Sequence, residues 1–154
     1  MKQLLFVLVA ITLFSCKDDS KVEEAVAKIP IEFKVERFDQ IFYQSKPEDL
    51  NKIKAQYPFF FPAGNPDSIW VNKLQNPLLK ELYKEVQMKY PTLGPVEADM
   101  EKMFAYVQYY FPKYKTPRVI TLISEVDTEA KAFYVDTLAL VSLDCYLGKD
   151  HRFY

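Results

Sequence analysis

Val119-Ile120-Thr121-Leu122-Ile123, Ala132-Phe133-Tyr134-Val135 and Leu138-Ala139-Leu140-Val141-Ser142-Leu143 are three short runs rich in β-branched and aromatic residues. The gaps between them hold Asp127-Thr128-Glu129 and Asp136-Thr137. Such residues suit a pleated, half-buried surface, and acids with threonine suit the turns between strands. An antiparallel three-strand meander is therefore expected past Pro117.

Upstream of Pro117 the period is helical, and prolines punctuate it. Ser45-Lys46-Pro47-Glu48-Asp49 opens a helix that runs to about Tyr57, where Pro58 stops it. Asn65-Pro66-Asp67 and Asn76-Pro77 each place an asparagine cap before a first-turn proline; the second of these helices reaches Tyr90. Pro95 opens a fourth helix that ends before Pro112. In it Val96, Met100, Met103, Phe104, Val107 and Phe111 recur at three- and four-residue steps as one apolar face. Further back, Ile31-Glu32-Phe33-Lys34-Val35-Glu36-Arg37-Phe38 alternates apolar and charged residues, the pattern of a half-buried strand with Ile31, Phe33 and Val35 inward. The expected class is α+β: an amino-terminal strand, several short helices, then the meander.

The chain begins with a different signal. Met1-Lys2-Gln3 is a short basic start, and Leu4–Phe14 follows without a charge. A membrane-spanning helix needs about 20 apolar residues, so this stretch reads as the apolar middle of a signal peptide covering residues 1–15. It ends Leu13-Phe14-Ser15-Cys16 before the polar Lys17-Asp18-Asp19-Ser20. Leucine three before, a small residue one before, and then cysteine resembles the bacterial lipobox, in which the cysteine thiol takes diacylglycerol as a thioether. Cys16 is thus the expected lipidation site, and an acyl-rich anchor of this kind holds a protein to a membrane. Residues 16–29 read as a lipidated polar tether, and 30–154 as a single α+β domain cut short at its carboxyl end. Lys17-Asp18-Asp19 resembles a surface-export signal and equally fits a solvated tether.

Composition narrows the function. Hydrophobic residues at 49% with 12 Phe and 11 Tyr are enough to bury a core. A net charge of −1 offers no basic stripe for nucleic acid. With Cys16 lipidated, Cys145 has no disulfide partner within the chain. Three glycines support no phosphate-cradling loop, and His151 is the one histidine, so no H-E-x-x-H set is present. No catalytic residue, metal ligand or cofactor site is expected beyond the covalent lipid. Glu97, Asp99 and Glu101 sit early in the fourth helix, where acids favour the dipole. Tyr106, Tyr109, Tyr110, Phe111 and Tyr114 form one aromatic group, and Tyr57, Phe59, Phe60, Phe61 and Trp70 another; such groups are core with polar tips or, where exposed, interface. Arg37 with Asp39 reads as either an ion pair or a partner contact. Arg37, Asp39, Tyr109 and Tyr110 are the candidate interaction residues.

Four segments taken in order resemble the GldB gliding-motility lipoproteins of the Bacteroidetes. They are Val35-Glu36-Arg37-Phe38-Asp39-Gln40-Ile41-Phe42, Tyr57-Pro58-Phe59-Phe60, Thr116-Pro117-Arg118-Val119-Ile120 and Leu143-Asp144-Cys145-Tyr146-Leu147-Gly148. Members of that family are about twice as long, so this chain reads as an amino-terminal half. The resemblance implies an outer-membrane, lipid-anchored, non-enzymatic part of the gliding and associated secretion machinery, on the periplasmic or the cell-surface side, with other machinery proteins as partners. The family is itself distantly similar to zinc peptidases in which a sheet edge precedes an H-E-x-x-H helix, so an enzyme reading places the metal site beyond residue 154. A third reading is a cell-envelope glycan binder using the aromatic groups.

Overall fold

The computed structural model describes residues 18–154, and the runs past Pro117 do form strands in it. They do not form the expected meander. The strands are β1 (Val35–Arg37), β2 (Arg118–Leu122), β3 (Ala132–Val135) and β4 (Leu138–Ser142), in the order β1-β2-β4-β3. β1 and β4 both run parallel to β2, and only β3 with β4 is antiparallel. The two-residue turn at 136–137 permits only an antiparallel hairpin there, and Asp136 takes a positive φ of 54° to close it. Residues 123–131 carry the chain away from β2 and deliver β3 to the outside, so β4 returns between them.

The amino-terminal strand expected over 31–38 is not seen as such. Residues 31–34 lie outside the strand, and β1 pairs with β2 through Val35↔Val119, Glu36↔Ile120 and Arg37↔Thr121. Chain geometry ends it at Phe38, where a helix starts at once. β2 is the buried strand: Val119 and Ile120 are fully buried and Thr121 nearly so. A continuous apolar run covered on both faces is what a strand with two parallel neighbours requires.

Six helices are described: α1 (Asp18–Val26), α2 (Phe38–Tyr43), α3 (Leu50–Gln56), α4 (Asp67–Gln75), α5 (Pro77–Lys89) and α6 (Gly94–Tyr110). The chain divides into two compact units, one of residues 33–94 with 117–154 and one of residues 18–32 with 95–116.

In the unit that holds the sheet, the core is aromatic. Phe38, Phe42, Leu50, Ile53, Tyr57, Phe61, Leu74, Ile120 and Leu140 bury together. Phe38 meets Tyr57 edge-on at 5.0 Å between ring centroids, an arrangement in which a ring edge faces a ring face favourably, and lies tilted by 38° against Phe60 at 4.3 Å. The aromatic group around Tyr57 is therefore largely core, with Phe59 at the surface. α5 starts as its sequence directs: Asn76 Oδ1 accepts the Leu78 N–H at 2.9 Å and the Leu79 N–H at 3.4 Å. α4 differs from expectation in that Pro66, not Asn65, occupies the cap, with no side-chain cap bond.

In the other unit, α1 occupies much of the stretch read as tether; its lysine, glutamate and alanine content favours helix. α6 does not bury the single apolar face its spacing predicts. Phe104 and Ala105 are buried, whereas Val96, Met103 and Phe111 are exposed. Phe104 stacks on Tyr114 at 6.4 Å.

Candidate functional site

At the junction of β1 and α2 the chain passes directly from strand to helix, and this places Arg37 and Asp39 side by side. Asp39 is fully buried and the Arg37 side chain is 14% exposed. Arg37 Nε donates to Asp39 Oδ1 at 3.0 Å and Nη2 to Oδ2 at 2.8 Å, a forked pairing that fixes both planes. Thr121 Oγ1 on β2 donates to Oδ1 at 2.6 Å, and Gln87 Nε2 on α5 donates to Oδ2 at 3.0 Å. Gln87 Oε1 in turn accepts from Gln40 Nε2 at 2.6 Å, and Arg37 Nη1 reaches the Tyr90 carbonyl at 3.2 Å. The Asp39 carboxylate on α2 thus joins β1, β2 and α5, and Arg37 adds the backbone at the end of α5. Every oxygen of the acid is occupied, so the group is held as a structural ion pair within the fold.

A second fully buried acid, Asp144, follows β4. Its Oδ1 accepts from the Ser124 N–H at 3.0 Å and its Oδ2 from the Val126 N–H at 2.6 Å. Between and at these anchors, Glu125 and Val126 adopt φ of 66° and 62°. A β-branched residue in that region is an outlier that surrounding structure must impose. The loop projects Glu125 to an ion pair with Lys73 on α4. Nearby, burial pushes the Cys145 thiol above its ordinary range, which works against thiolate chemistry.

Between β2 and β1, Arg118 donates through Nε and Nη2 to both Glu36 oxygens at 2.9 Å and holds the Glu36 carboxyl below the usual range. Burial pushes the Tyr57 phenol up to about 12, with Glu36 acting in the same sense. Burial also pushes Tyr43 up strongly.

The remaining expected residues fall in separate places. Cys16 lies outside the described residues. Tyr109 and Tyr110 end α6, 37% and 60% exposed, with rings edge to face at 5.0 Å. They belong to the other compact unit from Arg37 and Asp39. His151 Nε2 lies 3.5 Å from Glu85, and Arg152 bonds Glu81 and Glu85 at 2.7 Å, which fastens the last residues to α5. Tyr154 adds to this by donating to the Asp144 carbonyl at 2.8 Å. No cluster of three potential metal ligands occurs among the described residues. Sequence reading missed Thr121, Gln87 and Asp144. A signal existed only for Asp144, an acid set among apolar residues directly after a strand.

Fold and site together define an α+β protein with a mixed sheet whose buried acids are spent on holding elements together. The model of the family described as gliding motility protein GldB matches residues 19–154, and the chain belongs to that family. No curated protein and no solved structure matches it. The family's name carries a lipoprotein designation, which points to a membrane-anchored protein. No described helix is long and apolar enough to cross a membrane.

Proposed function

We infer that this protein is a non-catalytic, lipid-anchored component of the gliding-motility and associated secretion machinery. It holds a folded docking surface at the outer membrane through lipid on Cys16. The observation that carries this reading is the edge strand β3. All four of its residues are exposed, with Phe133, Tyr134 and Val135 at 41%, 55% and 53%. Proteins ordinarily blunt such an edge with proline, inward charge or a bulge, because unpaired backbone groups recruit other strands. Here the edge residues are apolar and aromatic, which suits an extended segment of a partner protein adding as a further strand. Family membership supplies the process, and the leucine-x-serine-cysteine sequence at 13–16 supplies the anchor.

The test is clean deletion of the gene, followed by complementation with wild type and with Cys16→Ala. Loss of surface spreading, restored only by the wild type, is the expected result. Normal spreading of the deletion strain would overturn the motility role, and full rescue by Cys16→Ala would overturn the anchored mechanism.

A further inference from the structure

We propose that a cavity in the aromatic core is a binding site for one uncharged, ring-sized apolar group. The cavity measures about 120 Å³ and opens beside Phe38, Phe42, Tyr43, Phe60, Trp70 and Leu122. Protein interiors hold few voids larger than a water molecule, so an open volume of this size within a core needs an occupant or an account. A void near 150 Å³ lined by apolar groups accepts benzene, so the hollow here matches one aromatic ring or a branched aliphatic group.

The charges around it specify the ligand's polarity. Asp39 forms part of the wall, and its oxygens are already filled by Arg37, Thr121 and Gln87. Lys73 stands at the rim and is paired with Glu125. A charged ligand would find no free counter-charge and would be buried unpaired, which is strongly unfavourable. The rim itself is built. Glu125 reaches Lys73 from a loop with two successive left-handed residues, pinned by the buried carboxylate of Asp144. Strained backbone of this kind gathers at ligand clamps. Lys73, which lines the cavity, is thus held in place by an ion pair from this loop. This site does not rest on the docking role of β3.

Trp70 lines the cavity and is the chain's one tryptophan, so its fluorescence reports occupancy. The full chain in phosphatidylcholine vesicles is titrated with phenol, benzoate and benzylammonium, and with a blocked tripeptide presenting one phenylalanine ring. Phenol should give a saturable change, and each charged probe should bind at least about tenfold more weakly. Peptide binding comparable to phenol's assigns the ring to a partner's side chain; phenol binding alone assigns it to a free small molecule. Ile123→Phe, which fills the hollow from its wall, should weaken phenol at least about tenfold with an unchanged circular dichroism spectrum. Phe60→Leu, which enlarges it, should shift preference from phenol toward naphthol. A linear, non-saturating response of the wild type, equal binding of benzoate, or no shift in Phe60→Leu would overturn the site.

Discussion

Replacing Asp39 with alanine tests the central claim about the buried network. The substitution leaves the Arg37 guanidinium, 14% exposed, without its counter-charge. It also orphans the Thr121 hydroxyl and one N–H of the Gln87 amide. Removing one member of a buried ion pair costs about 3–5 kcal/mol. Each stranded donor adds about 1 kcal/mol where water cannot reach it. Slight solvent access at Arg37 favours the low end, so a loss of about 5 kcal/mol is expected. A domain of this size has about 5–15 kcal/mol in all, so the variant should sit close to unfolding. The assay is urea unfolding of the full chain in vesicles, followed by far-ultraviolet circular dichroism. The paired substitution Arg37→Met with Asp39→Leu should be less damaging than Asp39→Ala alone, because it removes both charges together. A loss below about 1.5 kcal/mol for Asp39→Ala, or a double variant worse than the single, would refute the structural assignment.

Other outcomes follow from the same geometry. Thr121→Val removes one donor and keeps the shape, so its loss should be about 1 kcal/mol by the same urea assay. Asn76→Ala strips the cap of α5 and should also lower stability by about 1 kcal/mol, whereas Asn76→Ser should recover most of it. The Tyr57 phenol is held up to about 12 in the folded protein. A raised folded pKa gives stability that is complete below the unfolded value near 10 and is lost as pH rises toward the folded value. That loss should reach about 2–3 kcal/mol between pH 10 and 12. Tyrosinate absorbance should then rise in step with unfolding, and titration of every tyrosine near pH 10 in the folded protein would contradict it. Tyr134→Lys on β3 should reduce surface spreading while changing stability by less than about 0.5 kcal/mol, and normal spreading would remove the edge strand from the docking role.

The sequence made some of this architecture legible and concealed the rest. The proline-marked helices appear within a few residues of their prolines, and α5 is capped by Asn76 as its sequence directs, because those signals act locally. β2 was visible as an apolar run, yet its neighbours were not. Short gaps favoured a meander, whereas strand order depends on where residues 123–131 lead, and that path is fixed by Asp144 some twenty positions downstream. α2 was missed because it follows β1 without a gap and carries no side-chain cap. Arg37 and Asp39 were readable as a pair because they are neighbours in sequence. Their partners were not, since Gln87 lies 48 residues from Asp39 and Thr121 lies 82. The α6 face failed because helical spacing reports which residues line up, not what stands opposite them.

The pairing of β1 with β2 also sets an order of events. Glu36 meets Arg118, and Asp39 meets Thr121, each across 82 residues of chain. A polypeptide emerging amino terminus first makes β1 long before it makes β1's partner. Until residues 118–122 arrive, Val35 and Phe38 have no strand to cover them and Asp39 stays in water. Closing so long a loop is slow, because its entropy is lost before any contact repays it. Until residues 118–122 emerge, the nascent chain therefore carries helices and no β1–β2 pairing, a state that leaves it pliable for threading and exposed to proteases.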